Sequence, residues 1–339
     1  MTHFFSCDWG TSSFRLRLVE VEDLNVIKEV TSDQGIAGTF NLWEEKGIAN
    51  KEKKREFYLN VIQEHIRTIE NSLHFSLEGS PVLISGMASS SIGIEELPYG
   101  DLPFKVDGSN AISACFGRSN DFQHDLFLIS GVRKNHDVMR GEETQLVGAF
   151  DLQQEIKNDK TETEKIFVFP GTHSKHLFIK DGQITDFKTF MTGEYFDLLR
   201  NKSILSLGVA DVRNFQSPQN MQSFKRGVTD SLTSNLLNAT FSVRTNHLFG
   251  YLTKEENCSY LSGLLIGAEL QDLISLTAID TPIYLCGSSS LQYLYQTAIL
   301  EIGLKDNLQR LPFTADDAVV NGQLKIYKNF MMNNELNNE

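Results

Sequence analysis

The sequence has few cysteines, and they are not spaced like the ligands of a metal site. Four cysteines are scattered over 339 residues, and no two of them have the CxxC spacing of a zinc or redox motif. This density is also far below that of a disulfide-stapled secreted domain. We therefore expect a reduced protein, and a chain of this length can bury enough apolar surface to fold without a disulfide or a structural metal.

Basic residues and long apolar runs are also scarce. The chain has 44 acidic and 31 basic side chains, which gives a formal net charge of −13. That balance argues against nucleic acid or an anionic membrane as the main partner, because both require a basic face. The longest apolar stretch, residues 261–270, is interrupted by polar residues and is too short to span a bilayer. The first ten residues do not resemble a secretory signal, so we expect a cytoplasmic protein.

The same order of predicted strands and helices occurs twice in the sequence. Periodicity within residues 1–150 predicts three strands, a helix over 51–72, a fourth strand, a weaker helix, a fifth strand and a final helix. The polar stretch 151–165 predicts a linker, and three strands begin again at residue 166. A repeat of about 150 residues indicates a duplicated domain rather than a solenoid. We therefore expect an N-terminal domain over 1–150 and a C-terminal domain over 166–330, with a helical insertion at about 200–270.

The two halves also share a short turn motif at matching positions. Gly-Thr-x-Ser follows the first predicted strand in each half, as Gly10–Ser13 and again as Gly171–Ser174. Together with the repeated order of elements, this predicts an α/β protein of two ribonuclease H-like domains that flank a cleft. Each would carry a mixed five-stranded sheet in βββαβαβα order. This is the architecture of the actin-like, sugar-kinase and chaperone ATPase superfamily.

Both turns have the chemistry of a phosphate-binding loop, although plain hairpins are the alternative interpretation. A glycine lets the backbone approach a bulky anion, and the N–H groups of a tight turn can point at phosphate oxygens. The candidate phosphate ligands are Gly10, Thr11, Ser12, Gly171, Thr172 and His173. At the end of the first strand, Asp8 can hold Mg²⁺ directly or through its waters. Gly287 and Ser288 lie between a strand and a helix, where a helix N-terminus favours a nucleotide.

Charged and small residues of the first half indicate an acceptor site. At the junction of a loop and a helix, Glu142 or Glu143 can accept a proton from a hydroxyl, with Arg140 beside them to hold an anion. Simple capping of the helix by the two acids is the alternative. The segment Gly86, Met87, Ala88 and Ser89 follows a strand and suits the wall of a substrate site; an ordinary loop is the alternative.

Read together, these motifs resemble the 2-dehydro-3-deoxygalactonokinase family of the superfamily named above. The matching segments are Asp8–Ser12, Gly86–Met87, Leu97–Tyr99, Val138–Ala149, Pro170–Lys175, Asp186–Thr189, Met191–Glu194 and Leu261–Glu269. They follow one another along the whole chain, which is more specific than any single loop. The sequence departs from the family at Ile94, at 287–290 and across 201–257, which bear on sugar and adenine contacts.

The resemblance implies ATP- and Mg²⁺-dependent phosphorylation of the terminal C6 hydroxyl of 2-dehydro-3-deoxy-D-galactonate. Asp8 would hold Mg²⁺ or its waters, and the two turns would bind the β- and γ-phosphates. Glu142, which we favour over Glu143, would deprotonate the sugar hydroxyl, and Arg140 would hold the substrate carboxylate or a transferring oxygen. Asp186 and Glu194 stay open as alternative bases. The domains are expected to close on binding.

Other functions remain open at this point. A kinase of the same fold that acts on a different sugar or sugar acid would carry the same motifs. A non-kinase ATPase scaffold of the actin type would bind ATP without a sugar acceptor, but the sequence has no appended peptide-binding domain. The resemblance leaves a homodimer open and implies no nucleic-acid partner.

Overall fold

The computed structural model describes residues 1–47, 50–157, 164–276 and 281–336, and the chain divides into two units. Unit 1 comprises Met1–Glu162, Asp181–Asp186 and Phe313–Glu339. Unit 2 comprises Thr163–Lys180 and Phe187–Pro312. Both units combine helices with a mixed sheet, so the α/β class predicted from the sequence is confirmed.

Unit 1 begins with three consecutive strands. Its strands are β1 (His3–Trp9), β2 (Phe14–Glu20), β3 (Val26–Ser32), β4 (Val82–Gly86), β5 (Gly100–Asp101), β6 (Phe104–Lys105), β7 (Ser113–Phe116), β8 (Leu126–Ile129), β9 (Val132–Lys134) and β10 (Asp137–Met139). Its helices are α1 (Ile36–Glu44), α2 (Lys51–Leu73), α3 (Glu142–Lys157) and α9 (Ala315–Leu336), with a short 3₁₀ helix over Met87–Ser89.

The main sheet of unit 1 has the strand order β3-β2-β1-β4-β8-β7. The strands β1, β2 and β3 form an antiparallel meander, whereas β4 and β8 run parallel to β1. This parallel register places Asp8 opposite Ser85 and Trp9 opposite Gly86. The ends of β1 and β4 therefore lie side by side, which positions the candidate site.

Unit 2 contains a second mixed sheet and most of the helical insertion. Its strands are β11 (Lys165–Phe169), β12 (Ser174–Lys180), β13 (Gln183–Phe190), β14 (Ile283–Leu285) and β15 (Leu308–Gln309). Its helices are α4 (Thr192–Lys202), α5 (Pro218–Thr233), α6 (Leu236–Leu248), α7 (Lys254–Leu276) and α8 (Ser289–Glu301), with a 3₁₀ helix over Ile204–Gly208. The first residues of β13, within 181–186, group with unit 1, where Gln183 and Ile184 pair with β6.

The second sheet has six strands, one more than expected, in the order β15-β14-β11-β12-β13-β6. Read from β13 to β15, five of them repeat the order β3-β2-β1-β4-β8 of the first sheet. Here β12 is antiparallel to β11, and β14 is parallel to it. The turn between β12 and β13 has positive φ at both Asp181 (51°) and Gly182 (71°). Such a turn matches the twist of a tight hairpin.

Three features differ from the sequence-based expectation. Between β4 and β8 the described chain has short strands and loops where a helix was expected, because Pro98, Pro103 and several glycines interrupt any helical period. The main sheet of unit 1 also gains a sixth strand, β7, which pairs antiparallel with β8. Residues 151–157 of the expected linker 151–165 belong to α3, and β11 begins at Lys165; residues 158–163 lie outside the described residues.

The last helix also groups differently from the expected C-terminal domain of 166–330. Residues 313–339 belong to unit 1, where α9 packs closely against α3. Gly148 and Gly322 lie at this crossing, and a Cβ on either would overlap the backbone of the other helix. Within the four described ranges, no helix is both long and apolar enough to cross a membrane.

Candidate active site

The turn at Gly10 presents free backbone N–H groups. Gly10 N donates to Ser13 O (2.9 Å), which closes the turn between β1 and β2. The carbonyl oxygens of Gly10 and Thr11 accept hydrogen bonds from the first residues of α1. Among the described residues, the N–H groups of Thr11 and Ser12 have no acceptor. Two adjacent unpaired N–H groups at an exposed turn suit an anion such as phosphate.

Asp8, at the end of β1, is half-buried, and few interactions offset the cost of burying its charge. Burial raises its pKa, and the charges of Asp316 and Glu142 raise it further, while Arg17 and Arg15 act in the opposite direction. Its side chain makes no hydrogen bond with any residue that the structure describes. A cation at this carboxylate would offset the cost of burying its charge.

The space beside Asp8 is kept open by Gly86 at the end of β4. A Cβ on Gly86 would lie 2.8 Å from Trp9 O and 3.6 Å from Asp8 Oδ1. Gly86 also has φ +91°, a region that side-chain-bearing residues rarely adopt. Gly141 lies next to it, since its own Cβ would be 3.5 Å from Gly86 Cα. The fold therefore brings Asp8 and the start of α3 together.

The two acids at the start of α3 have different surroundings. Glu143 is fully buried, and both of its carboxylate oxygens accept a hydrogen bond from Gly141 N (2.9 and 2.8 Å). Burial raises the pKa of Glu143 to about 7, and the nearby charge of Glu142 acts in the same direction. Glu142 is only half-buried, and its charge also raises the pKa of Asp8. Glu143 caps the helix, whereas Glu142 is the more accessible carboxylate.

Arg140 is held by Ser89 of the predicted substrate wall and by three residues outside that wall. Its Nη1 donates to Ser89 Oγ (2.7 Å) and Ser130 Oγ (3.3 Å), and its Nη2 donates to Leu97 O (3.2 Å). The guanidinium also lies 3.9 Å from the ring centroid of Tyr99. Within the predicted wall, Gly86, Ala88 and Ser89 are buried and Met87 is half-buried.

The turn at Gly171 repeats the arrangement of the first turn. Thr172 O accepts a hydrogen bond from Glu194 N, in the first turn of α4 (3.1 Å). A Cβ on Gly193 would lie 2.7 Å from both Gly171 O and Thr172 Cα, so only a glycine allows this contact. The N–H groups of Gly171 and Thr172 have no acceptor within the part of the chain that the structure describes.

Three further candidates from the sequence lie in ion pairs. His173 Nε2 lies 2.5 Å from Glu194 Oε2, so that this histidine is fixed beside its turn. Lys134 Nζ lies 2.5 Å from Asp186 Oδ1. Both alternative bases, Glu194 and Asp186, therefore already have a charged or hydrogen-bonding partner.

Beside the Gly171 turn, unit 2 contains a largely apolar cavity of about 440 Å³. Gly171, Phe215, Ile266 and Tyr293 are among its lining residues. Its volume lies within the range of small-ligand sites. Gly287 packs against Pro170, because a Cβ added to Gly287 would lie 3.1 Å from Pro170 Cδ. Ser288 is the N-cap residue of α8, and Ser290, rather than Ser288, lines the cavity.

Sequence reasoning missed most residues of this cavity and the two glycines that hold the turns. Phe215 lies in the insertion, whose sequence carries no recognisable motif. Gly193 stands within a segment that matches the family, but its role as a contact of the Gly171 turn depends on packing. Gly35, whose Cβ would overlap Thr11 O, gave no local signal.

Comparisons with known proteins identify the family of this chain. A family model described as 2-keto-3-deoxy-galactonokinase matches residues 8–326. A 2-dehydro-3-deoxygalactonokinase from Escherichia coli (strain K12) is 34% identical over 235 residues, which cover 67% of this chain and 72% of the relative. A "Probable 2-dehydro-3-deoxygalactonokinase DgoK1" from Rhizobium meliloti (strain 1021) is 31% identical over 329 residues, 94% of each chain.

The fold comparison gives the same result. A crystal structure described as a "putative 2-dehydro-3-deoxygalactonokinase protein" from Sinorhizobium meliloti has a TM-score of 0.75 and 28% identity, and covers 96% of both chains. The family match includes Asp8, both turns and the start of α3. The chain belongs to the 2-keto-3-deoxy-galactonokinase family.

Proposed function

We propose that this protein is an ATP-dependent sugar-acid kinase that phosphorylates the C6 hydroxyl of 2-dehydro-3-deoxy-D-galactonate. The observation that carries the proposal is the family match over residues 8–326, which contains every residue given a role below. Two curated relatives are named for this acceptor. The reaction places the enzyme in the breakdown of galactonate.

We also infer that the two sheets belong to duplicated actin-like domains. Both have the strand order 3-2-1-4-5, with an antiparallel pair and parallel strands at the same positions. Both follow their first strand with a Gly-Thr-x-Ser turn that a glycine near the next helix contacts. Agreement in strand order and in turn packing supports a common origin better than a four-residue motif.

The nucleotide is assigned to the two turns and the cavity. The unpaired N–H groups of Thr11, Ser12, Gly171 and Thr172 would bind the β- and γ-phosphates. His173, paired with Glu194, would stiffen the second turn. The apolar cavity beside Gly171 suits the adenosine part of ATP, with Gly287 and Ser288 directly before α8, whose residues Ser290 and Leu291 line it.

Magnesium is assigned to Asp8. Its carboxylate oxygens are the hard donors that Mg²⁺ prefers, and Gly86 leaves room beside them. In the described residues no group of three or more His, Cys, Asp or Glu could hold a metal by itself. This is consistent with Mg²⁺ held by one carboxylate, waters and substrate phosphates. When bound, the ion would neutralise charge on the phosphates.

Glu142 is assigned as the base. As the C6 oxygen bonds to the γ-phosphorus, the bond from phosphorus to the β,γ-bridging oxygen breaks and ADP leaves. The hydroxyl proton passes to the Glu142 carboxylate, which can return it to solvent. The accessibility of Glu142 supports this choice, because Glu143 is occupied with Gly141 N. Positioning and charge neutralisation supply most of the acceleration in phosphoryl transfer.

Arg140 is assigned to the acceptor site together with Gly86, Met87, Ala88 and Ser89. Its hydrogen bonds to Ser89 and Ser130 fix the guanidinium, and Tyr99 supports it from one face. A guanidinium fixed in this way is pre-organised to attract the substrate carboxylate or a transferring oxygen. Met87, the half-buried member of the wall, would contact the sugar chain.

A coupled assay tests the proposal. Purified protein is given ATP, Mg²⁺ and either 2-dehydro-3-deoxy-D-galactonate, its C4 epimer or a panel of sugars and amino sugars, and ADP release is followed. We expect release that depends on the galactonate derivative and is slower with its epimer. Preference for another acceptor would identify a different kinase of this fold. ADP release that no acceptor stimulates would favour the ATPase scaffold.

We assign the enzyme to the cytoplasm, as a chain with four free cysteines fits a reducing compartment. A homodimer stays an alternative to a monomer, and light scattering of the purified protein distinguishes the two.

A further inference from the structure

Glu269 is a buried carboxylate in unit 2 to which the proposed chemistry gives no role. It lies on α7 and is 3% exposed. Its Oε1 accepts a hydrogen bond from His176 Nε2 (2.9 Å). Its Oε2 accepts from Thr192 Oγ1 (2.5 Å) and from Tyr295 Oη (2.5 Å). The donors belong to β12, α4 and α8, so this carboxylate joins three other elements to α7.

The direction of these hydrogen bonds makes Glu269 a pure acceptor. Each of its three partners has an N–H or O–H to donate, and a carboxylate oxygen accepts. Burial and the charge of Glu269 raise the pKa of Tyr295 well above its usual value, so the phenol keeps its proton. In the described part of the chain, His176 Nδ1 has no hydrogen-bond partner, which fits the tautomer with its proton on Nε2.

The same network reaches the cavity and the Gly171 turn. Thr192 and Tyr295 line the cavity, as do Leu265 and Ile266, which precede Glu269 on α7. Tyr295 Oη also forms a hydrogen bond with Ser174 Oγ (2.8 Å), and Ser174 is the last residue of the turn that begins at Gly171. The carboxylate therefore connects the turn to the cavity wall without lining the cavity itself.

We propose that Glu269 is a positioning residue that holds the Gly171 turn and the adjacent cavity wall in the geometry that binds the adenine nucleotide. The inference rests on the proposed function. Burial of a carboxylate is costly, and apolar side chains of similar volume often replace buried charges without loss of stability. What the carboxylate adds is a fixed direction for the hydroxyl groups of Thr192 and Tyr295.

Glu269→Gln tests this role with almost no change in volume. The amide nitrogen of glutamine can only donate, so either His176 has to move its proton from Nε2 to Nδ1, or the hydroxyl groups of Thr192 and Tyr295 have to reorient. We expect the Kd for ADP, measured by calorimetry on the full chain, to rise about tenfold or more, which matches the loss of a hydrogen bond to a charged group. The KM for the sugar acid should change by less than about twofold.

Asp272→Asn is the matched control. It removes one negative charge from the same helix one turn further on, where Asp272 Oδ2 forms a partly exposed ion pair with Lys188 Nζ (2.7 Å). We expect this variant to bind ADP like the wild type. Tyr295→Phe is a second test, which keeps the ring and removes the hydroxyl. It should show the same selective loss, and it carries the test if Glu269→Gln does not fold.

The possible results distinguish failure of the positioning role from failure of the proposed function. Wild-type affinity for ADP in the folded Glu269→Gln and Tyr295→Phe variants would overturn the positioning role. A parallel loss of ADP affinity and sugar-acid affinity would overturn it too, since that indicates general disruption. Failure of the proposed function would instead appear as a wild-type protein that binds no ADP.

Discussion

The turns Gly10–Ser13 and Gly171–Ser174 share one way of packing. In each unit, a glycine near the start of the next helix contacts the turn, Gly35 before α1 and Gly193 in α4. In each turn, backbone carbonyl oxygens accept hydrogen bonds from N–H groups of that helix. N–H groups of the turn itself have no acceptor among the described residues. The shared packing explains why the same four-residue motif serves both turns.

What differs is the chemistry beside the two turns. Two residues before Gly10 stands Asp8, whereas the equivalent position before Gly171 is Phe169. The first turn is next to a half-buried carboxylate and the acids of α3. The second adjoins the apolar cavity. In the proposed function, one backbone arrangement serves charge neutralisation in one unit and binding of the nucleoside in the other.

The largest effect is expected from Asp8→Asn, which removes the charge that distinguishes the first turn. We expect kcat to fall by at least about 100-fold, because charge that develops in the transition state would be poorly neutralised. Steady-state kinetics at saturating Mg²⁺ measures this. Asp121→Asn, an exposed acid of the same unit, should leave kcat unchanged. Near-normal turnover of Asp8→Asn would refute the role of Asp8 as a metal ligand.

Next in size is Glu142→Gln, which tests whether the base lies in unit 1. We expect kcat to fall about 100-fold with little change in thermal stability, since a general base contributes on this scale. Glu143→Gln keeps the hydrogen bond from Gly141 N to a side-chain oxygen and should retain far more activity. If both variants keep full activity, the base lies elsewhere, and Asp186 and Glu194 are the next candidates.

The pH dependence of stability sharpens the difference between the two acids. The native state keeps the Glu143 proton up to about pH 7, whereas the unfolded chain loses it near the ordinary value of 4.5. The resulting stabilisation is complete below 4.5 and is lost as pH rises through 7, a difference of about 3 kcal/mol. Glu143→Gln lacks this contribution. Urea denaturation of both proteins across this range measures it, and parallel profiles would contradict the assignment.

The smallest effects concern the glycines that hold the turns. We expect Gly35→Ala and Gly193→Ala each to lower the free energy of unfolding by about 1–3 kcal/mol, because the added methyl group meets backbone atoms. Both should also weaken ADP binding. Gly38→Ala in α1 is the control, since its Cβ would meet nothing within 4 Å. Wild-type ADP affinity in both turn variants would remove the turns from the nucleotide site.

Much of the fold was predictable where local periodicity is strong. A helix was expected over 51–72 and occurs at Lys51–Leu73, because Tyr58, Ile62 and Ile66 recur on one buried face. The Asp181–Gly182 hairpin followed from turn chemistry alone. The grouping of α9 with unit 1 was not predictable, because it depends on contacts between residues such as Gly148 and Ala318 that are far apart in the sequence.

The candidate site was also predictable only in part. The sequence identified Asp8, both turns and the pair Glu142 and Glu143, since each stands in a compact motif. It could not decide between the two acids, because only the backbone of Gly141 shows which carboxylate is turned inward. The cavity and the Glu269 network were missed because their members come from four or more elements that meet only in the folded chain.

Phosphorus NMR of a reaction with ATP, Mg²⁺ and 2-dehydro-3-deoxy-D-galactonate tests the central claim most directly. A kinase acting at C6 yields ADP and a phosphomonoester whose signal is split into a triplet by the two protons on C6. Inorganic phosphate as the sole new signal beside ADP, a monoester coupled to a single proton, or unchanged ATP would contradict the account.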